Sequence, residues 1–349
     1  MQRRLWAFPL QLSLVLLAAA PQVALAEDDW EDNTKTGTEA LKNGKYQEAE
    51  KAFLAARKEA EKSNQRYGHY ATTLLNLGAV YDKTDRIAEG EKAYKEALAI
   101  YEKSYGTSSI EDSRSLQGWA DLYRHHGKYN EAIPIYVRAQ KIRDGLIPTA
   151  PDTAETLQGL AECYRKLNKN NDALPLLKRA LDIRRVAFGA TNTKVGKSLD
   201  LLSQAYVATG KYDMAVPIYK DLLSERETTY GIEDAKVALT LEDLAFACSK
   251  CDKQKKAEAS YKRALAIREK LAKSDAPALN KCLKQYAEFL RANGKADEAA
   301  KLEARISDPT AKGATAVATG KAAAAAGANK AAAPAAAAPK SAPGKTASK

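Results

Sequence analysis

The chain has 349 residues, 45% apolar and 28% charged, with three histidines and four cysteines, enough for a sizeable folded body. Its formal charge of +11 is unevenly placed: Arg3 and Arg4 supply two positive charges and the lysines beyond Pro309 six more, leaving +3 between them. A body so near neutrality does not suit a dense nucleic-acid face, and with no G-x-S-x-G, H-E-x-x-H or Gly-rich phosphate loop the chain reads as no enzyme, with no cofactor and no metal.

The N-terminus has the basic tip Arg3-Arg4, an apolar run from about Leu10 to Ala20 and the small-residue signature Ala24-Leu25-Ala26. These parts make a secretory signal peptide over residues 1–26, with cleavage expected after Ala26 and a periplasmic or extracellular destination. The run is short of the roughly 20 apolar residues that span a bilayer, so the mature form is expected to have no membrane span. The residue directly after the cleavage point is Glu27 and not a cysteine, which argues against a lipid anchor. Residues 27–32 are acidic and read as a flexible linker.

From residue 33 a repeat takes over. Gly44, Asp85, Gly127, Asn168, Gly210, Asp252 and Gly294 follow one another at spacings of 41, 42, 41, 42, 42 and 42, a register that marks a repeat architecture. Seven residues before each turn position sits a small residue (Gly37, Gly78, Ala120, Ala161, Ser203, Ala245, Ala287), and five after it another (Ala49, Gly90, Ala132, Ala173, Ala215, Ala257, Ala299). Helices can approach closely at such places. Leu74, Leu116, Leu157, Leu199, Leu241 and Leu283 form an apolar column; Tyr81, Tyr123, Tyr164 and Tyr206 form a second, and Tyr94, Tyr136, Tyr219 and Tyr261 a third.

Within a unit the apolar residues recur at helical spacing on either side of a short polar turn, as in SLQGWADLYRHHGKYNEAIPIYVRAQKI, which predicts an antiparallel helix pair. A lone pair cannot cover its apolar face, so the pairs must stack into an all-α solenoid. The units fall at about 33–62, 66–106, 108–147, 149–189, 191–231, 233–273 and 275–307. The first has a polar first helix and reads as a cap; the last puts Glu303 where its siblings have Tyr or Phe, as a final helix facing water should.

The segments TLLNLGAVYDKTDRIAEGEKAYKEALAIYEKSYG and LSQAYVATGKYDMAVPIYKDLL resemble tetratricopeptide repeats of the 42-residue type found in kinesin light chains. The resemblance covers about Asn33 to Ser307. It implies a right-handed α-solenoid of about seven antiparallel helix pairs, with the first helices lining a concave surface that takes a protein or peptide, and it is nearly silent on which one.

Pro134, Pro175 and Pro217 share a column in three successive second helices. A proline inside a helix costs about 3 kcal/mol unless it falls in the first turn. Those helices are therefore expected to start no more than about four residues earlier, capped by Asn130, Asn171 and Asp213. After Asp308 the composition turns to Ala, Lys, Pro and Gly with no acid and no aromatic, which predicts a disordered basic tail over 308–349. Its lysines could hold an anionic cell-wall or envelope surface.

His125 and His126 are adjacent, so on a helix they point about 100° apart and make a poor chelate. Cys248 and Cys251 form a C-x-x-C; Cys248 stands in the tyrosine column and Cys251 in the turn, and after export the two could close a disulfide. First-helix positions outside the leucine and small-residue columns are expected to point into the groove. They are Asn76; Gln117, Asp121 and Arg124; Gln158, Glu162 and Arg165; Asp200 and Gln204; Glu242; and Lys284, Glu288 and Arg291. Amide and charged groups repeated on one wall can bond a peptide backbone and select its charges, although Asp121 with Arg124 and Glu162 with Arg165 are also plain i,i+3 helix pairs. The sequence thus predicts an exported, non-enzymatic interaction scaffold, or else an envelope-associated spacer attached through its tail.

Overall fold

The structure, a computed structural model, describes residues 20–62 and 66–307. Most of the expected signal peptide, residues 1–19, and the expected disordered tail, 308–349, lie outside the described residues. Among those described there are fourteen α-helices and no strand. The chain divides into two compact units, residues 1–282 and 283–349.

In the first unit the hairpins are α1 (Ala20–Lys42) with α2 (Tyr46–Ala60), α3 (Arg66–Lys83) with α4 (Ile87–Tyr105), and α5 (Ile110–His125) with α6 (Tyr129–Leu146). They continue as α7 (Pro151–Lys166) with α8 (Asn170–Phe188), α9 (Thr193–Ala208) with α10 (Tyr212–Tyr230), and α11 (Ala235–Ser249) with α12 (Gln254–Lys270). The division falls inside α13 (Ala276–Ala292); its latter half and α14 (Ala296–Ser307) are the described part of the second unit. From α1 to α12 each helix packs on the next, and α1, α3, α5 and α7 also touch one another in succession. These four helices therefore stand side by side.

All seven register positions are left-handed turns. Gly44, Gly127, Gly210 and Gly294 have φ of 73°, 75°, 71° and 77°, and Asp85, Asn168 and Asp252 have 57°, 60° and 54°. In each turn the next residue's amide returns to the carbonyl five residues back, from Lys45 to Ala40 through Lys295 to Leu290. That bond closes a Schellman motif, which satisfies a terminal carbonyl and fixes the exit angle of the chain.

The expected second-helix starts need correction. α6, α8 and α10 are capped by Lys128, Lys169 and Lys211 with no side-chain bond, because the Schellman turn already sets the backbone there. Asn130, Asn171 and Asp213 lie inside the helices, and Pro134, Pro175 and Pro217 are the sixth residues, exposed to water. Side-chain caps appear instead on first helices: Ser109 and Asp112 form a capping box on α5, and Asn192 and Asp234 accept the amides of Lys194 and Lys236 on α9 and α11.

Both small-residue columns are buried throughout, as is the leucine column. Tyr94, Tyr136, Tyr219 and Tyr261 are buried against them. A Cβ on Gly78 would come 2.7 Å from the Tyr94 ring, so the aromatic column requires the small one. Residues 27–32, expected as a flexible linker, belong to α1. The Trp30 ring stacks on His69 at 3.7 Å and its indole N–H donates to Thr73 Oγ1 at 3.0 Å, which ties this stretch to α3.

Candidate functional site

Two adjoining clefts open on the odd-numbered helices of the first unit. The smaller, about 270 Å³, is lined by Gln117, Asp121 and Arg124 of α5, Gln158 and Glu162 of α7, and Arg184 of α8. The larger, about 510 Å³, lies between α7 and α9 and is lined by Arg124, Glu162, Arg165, Lys166, Leu201 and Gln204. Arg124 and Glu162 belong to both. Positions spaced by three and four residues share one helix face, and the 41-residue register repeats that face on the next hairpin.

Arg124 is the hub. Its guanidinium donates to Asp121 Oδ1 at 2.9 Å, to Glu162 Oε2 at 2.8 Å across the hairpin boundary, and through Nε to the Tyr136 hydroxyl at 3.0 Å. Tyr136 in turn donates to Asp121 Oδ1. Burial works against the Arg124 charge, but Tyr136, Asp121 and Glu162 outweigh it and its pKa is raised. Gln117 and Gln158 each donate to the carboxylate four residues on, Asp121 at 2.9 Å and Glu162 at 2.8 Å. Arg165 reaches α9, donating to Gln204 Oε1 at 2.9 Å. The i,i+3 pairing is present for Asp121 and Arg124; Arg165 bonds across hairpins instead.

Sequence reasoning missed an arginine column on the second helices: Arg143, Arg184, Arg226 and Arg268, each sixteen residues after its turn position. Three of them reach a hydroxyl on the next first helix, Arg143 to Thr156, Arg184 to Ser198 and Arg226 to Thr240, so they clasp neighbouring hairpins. All four also hold the groove position ten residues before the turn in their own hairpin: Gln117, Gln158, Asp200 and Glu242. The signal was available in the register. Hydroxyl residues Thr156, Ser198 and Thr240 recur at a fixed place, as the arginines do.

These clasps correct part of the expected groove. Glu242 is only 3% exposed and is paired with the buried Arg268 at 2.7 Å, so it faces the interior. Asp200 is half-buried, bonded to Arg226 at 3.2 Å and to Gln204 at 3.2 Å, and lines neither cleft. Asn76 is half-buried on α3 and also lies outside both clefts, since Leu75 takes the register position of Gln117. Lys284, Glu288 and Arg291 are exposed in the second unit, where Arg291 pairs with Glu303 at 2.7 Å.

All four cysteines are free thiols, so Cys248 and Cys251 are not joined; Cys251 Sγ donates to Ala247 O at 3.1 Å. His125 and His126, read as divergent, both face Asp82 of α3, at 2.8 and 3.4 Å. Burial pushes the Asp82 carboxyl up, but the His125 hydrogen bond and neighbouring cations hold it below its usual range.

The sequence profile of the tetratricopeptide repeat matches residues 39–103, 69–145, 111–185, 152–228 and 195–270, well over half of the chain. The chain belongs to the tetratricopeptide-repeat family. Solved structures agree on the fold. A kinesin light chain-like protein of Podosopora anserina with nearly identical TPR-like repeats is 20% identical over 58% of this chain and 97% of that one, with a TM-score of 0.51. BtubC (BKLC) of P. vanneervenii is 21% identical over 70% and 92%, with a TM-score of 0.54. The apo form of RapI is 17% identical over 82% and 77%, with a TM-score of 0.59. Identities this low show the tetratricopeptide-repeat fold alone. No curated protein matches the chain at a significant level.

Proposed function

We propose that the first unit binds an extended protein segment along the wall made by α5, α7 and α9, and that the protein is a scaffold with no catalytic role. The observation that carries this reading is the pair of adjoining clefts, repeated on consecutive hairpins and joined through Arg124 and Glu162. Seven of the residues expected in the groove line them: Gln117, Asp121, Arg124, Gln158, Glu162, Arg165 and Gln204. A repeated set of amide and charged groups suits an extended backbone, whose own polar groups recur along its length. The tetratricopeptide-repeat fold, in which such walls are built from stacked hairpins, is consistent with a protein or peptide partner.

The proposal includes export. Its support is the basic tip, apolar run and Ala24-Leu25-Ala26 signature of residues 1–26. Among the described residues no helix is long and apolar enough to cross a membrane.

Partner recovery from the cells that make the protein tests the wall. Combined Arg165→Ala, Lys166→Ala and Gln204→Ala substitution should abolish recovery while leaving the helical far-ultraviolet spectrum unchanged, and undiminished recovery would count against the wall. Deleting residues 308–349 tests the competing spacer reading. On the scaffold account partner recovery survives the deletion, whatever happens to retention in an envelope fraction.

A further inference from the structure

The arginine column contains an internal comparison. Arg226 and Arg268 each find a carboxylate in their own hairpin, Asp200 at 3.2 Å and Glu242 at 2.7 Å. In the hairpin of α7 and α8 the same register position is Gln158, and the Arg184 guanidinium donates only to neutral oxygens, Gln158 Oε1 and Ser198 Oγ, the latter at 2.6 Å.

Arg184 is 6% exposed. A guanidinium buried so deeply without a bonded carboxylate carries an uncompensated desolvation cost. Burial pushes its pKa down, against the pull of Glu155 and Glu162, which stand near it without a hydrogen bond. Arg143 also has neutral partners, but Ser113, Gln117, the Asp152 carbonyl and Thr156 close around it and it lines neither cleft. Arg184 does line the smaller cleft, with the exposed Lys194 and Lys197 beside it. The smaller cleft is lined by four cations, Arg124, Arg184, Lys194 and Lys197, and three carboxylates, Asp121, Glu155 and Glu162. Arg124 is bonded to Asp121 and Glu162, so Arg184, Lys194 and Lys197 outnumber the one remaining carboxylate, Glu155.

We propose that the smaller cleft is an anion site in which a carboxylate of the bound segment docks on Arg184, displacing the Gln158 amide oxygen from the place that Asp200 and Glu242 fill in the next two hairpins. Lys194 and Lys197 draw that carboxylate in. The inference deepens the proposed function and rests on it, adding that the partner segment is acidic.

The test is the thermal midpoint of the full chain against added tetraglutamate, with tetraglutamine as the neutral control at equal ionic strength. It is run on the wild type, Gln158→Glu and Gln158→Met. Both substitutions remove the amide bond to Glu162, but only glutamate offers Arg184 a carboxylate from within. Wild type and Gln158→Met should rise in midpoint with tetraglutamate alone. Gln158→Glu should lose that response, its affinity falling at least about tenfold, because the site is filled and repels a second anion. Equal responses of the two variants, or none from the wild type, overturn the proposal. If partner recovery is abolished by the Arg165, Lys166 and Gln204 substitutions yet persists in Gln158→Glu, the wall stands and the anion site falls.

Discussion

Gly159 of α7 lies directly against Tyr136 of α6, so close that a Cβ there would come 2.5 Å from the tyrosine hydroxyl and 2.6 Å from Cζ. That hydroxyl links Asp121 to Arg124, so the absence of one methyl group keeps the hub of both clefts in register. Tyr136 is fully buried and cannot swing away. Gly159→Ala should therefore destabilise the fold by about 1–3 kcal/mol, the usual cost of overpacking. Gly145→Ala on the exposed face of α6, where a Cβ meets nothing within 4 Å, should stabilise by up to about 1 kcal/mol. Urea midpoints of the two variants check both signs.

The pair Arg268 and Glu242 gives a second expectation. Glu242→Ala leaves a guanidinium buried without its partner and should cost about 3–5 kcal/mol, whereas replacing both residues by apolar ones of similar volume should cost far less. Chemical denaturation of the single and double variants separates loss of the charge pair from loss of packing.

Asp243 predicts a pH dependence. Its carboxyl is pushed up to about 6, chiefly by burial and then by Asp200 and Glu242, against the pull of Lys281 and Arg226. An acid whose folded pKa lies above its unfolded value of about 3.9 holds its proton more tightly when folded. Its contribution is then fully present below about pH 4 and is lost as the pH rises through about 6, a change of about 3 kcal/mol. Denaturation midpoints measured from pH 4 to 7 should show this fall, and Asp243→Asn should flatten it.

The turns give a fourth. Asn168 holds the same left-handed backbone as Gly210, at φ 60° against 71°. Asn168→Gly should be neutral or slightly stabilising, and Gly210→Ala should cost about 1 kcal/mol. Differential scanning calorimetry of the two variants reads the asymmetry.

The fold was legible because its constraints are periodic and local. A left-handed turn needs Gly, Asn or Asp, a close helix approach needs a small residue, and each demand recurs every 41 or 42 residues from Gly44 to Gly294. Most of the candidate wall followed from the same register. The arginine clasps escaped because Arg143, Arg184, Arg226 and Arg268 read as solvated when polarity is taken one residue at a time, although their shared column, with hydroxyl partners on the next hairpin, marks them as interior. Glu242 was misplaced for the same reason, since its partner lies twenty-six positions away. The helix starts at Tyr129, Asn170 and Tyr212 were misjudged because a Schellman turn can launch a helix without a capping side chain. Trp30 was passed over because acidic neighbours masked the single aromatic that docks on His69.

The most direct measurement places a photocrosslinking amino acid at Lys166, on the rim of the larger cleft, and in a separate variant at Lys178, exposed on α8 away from both clefts. Irradiation in the producing cells should join a protein partner to position 166 and not to position 178, and combined Arg165→Ala and Gln204→Ala substitution should erase that product. Equal crosslinking from the two positions, or a product at 166 indifferent to those substitutions, would contradict a binding wall on α5, α7 and α9.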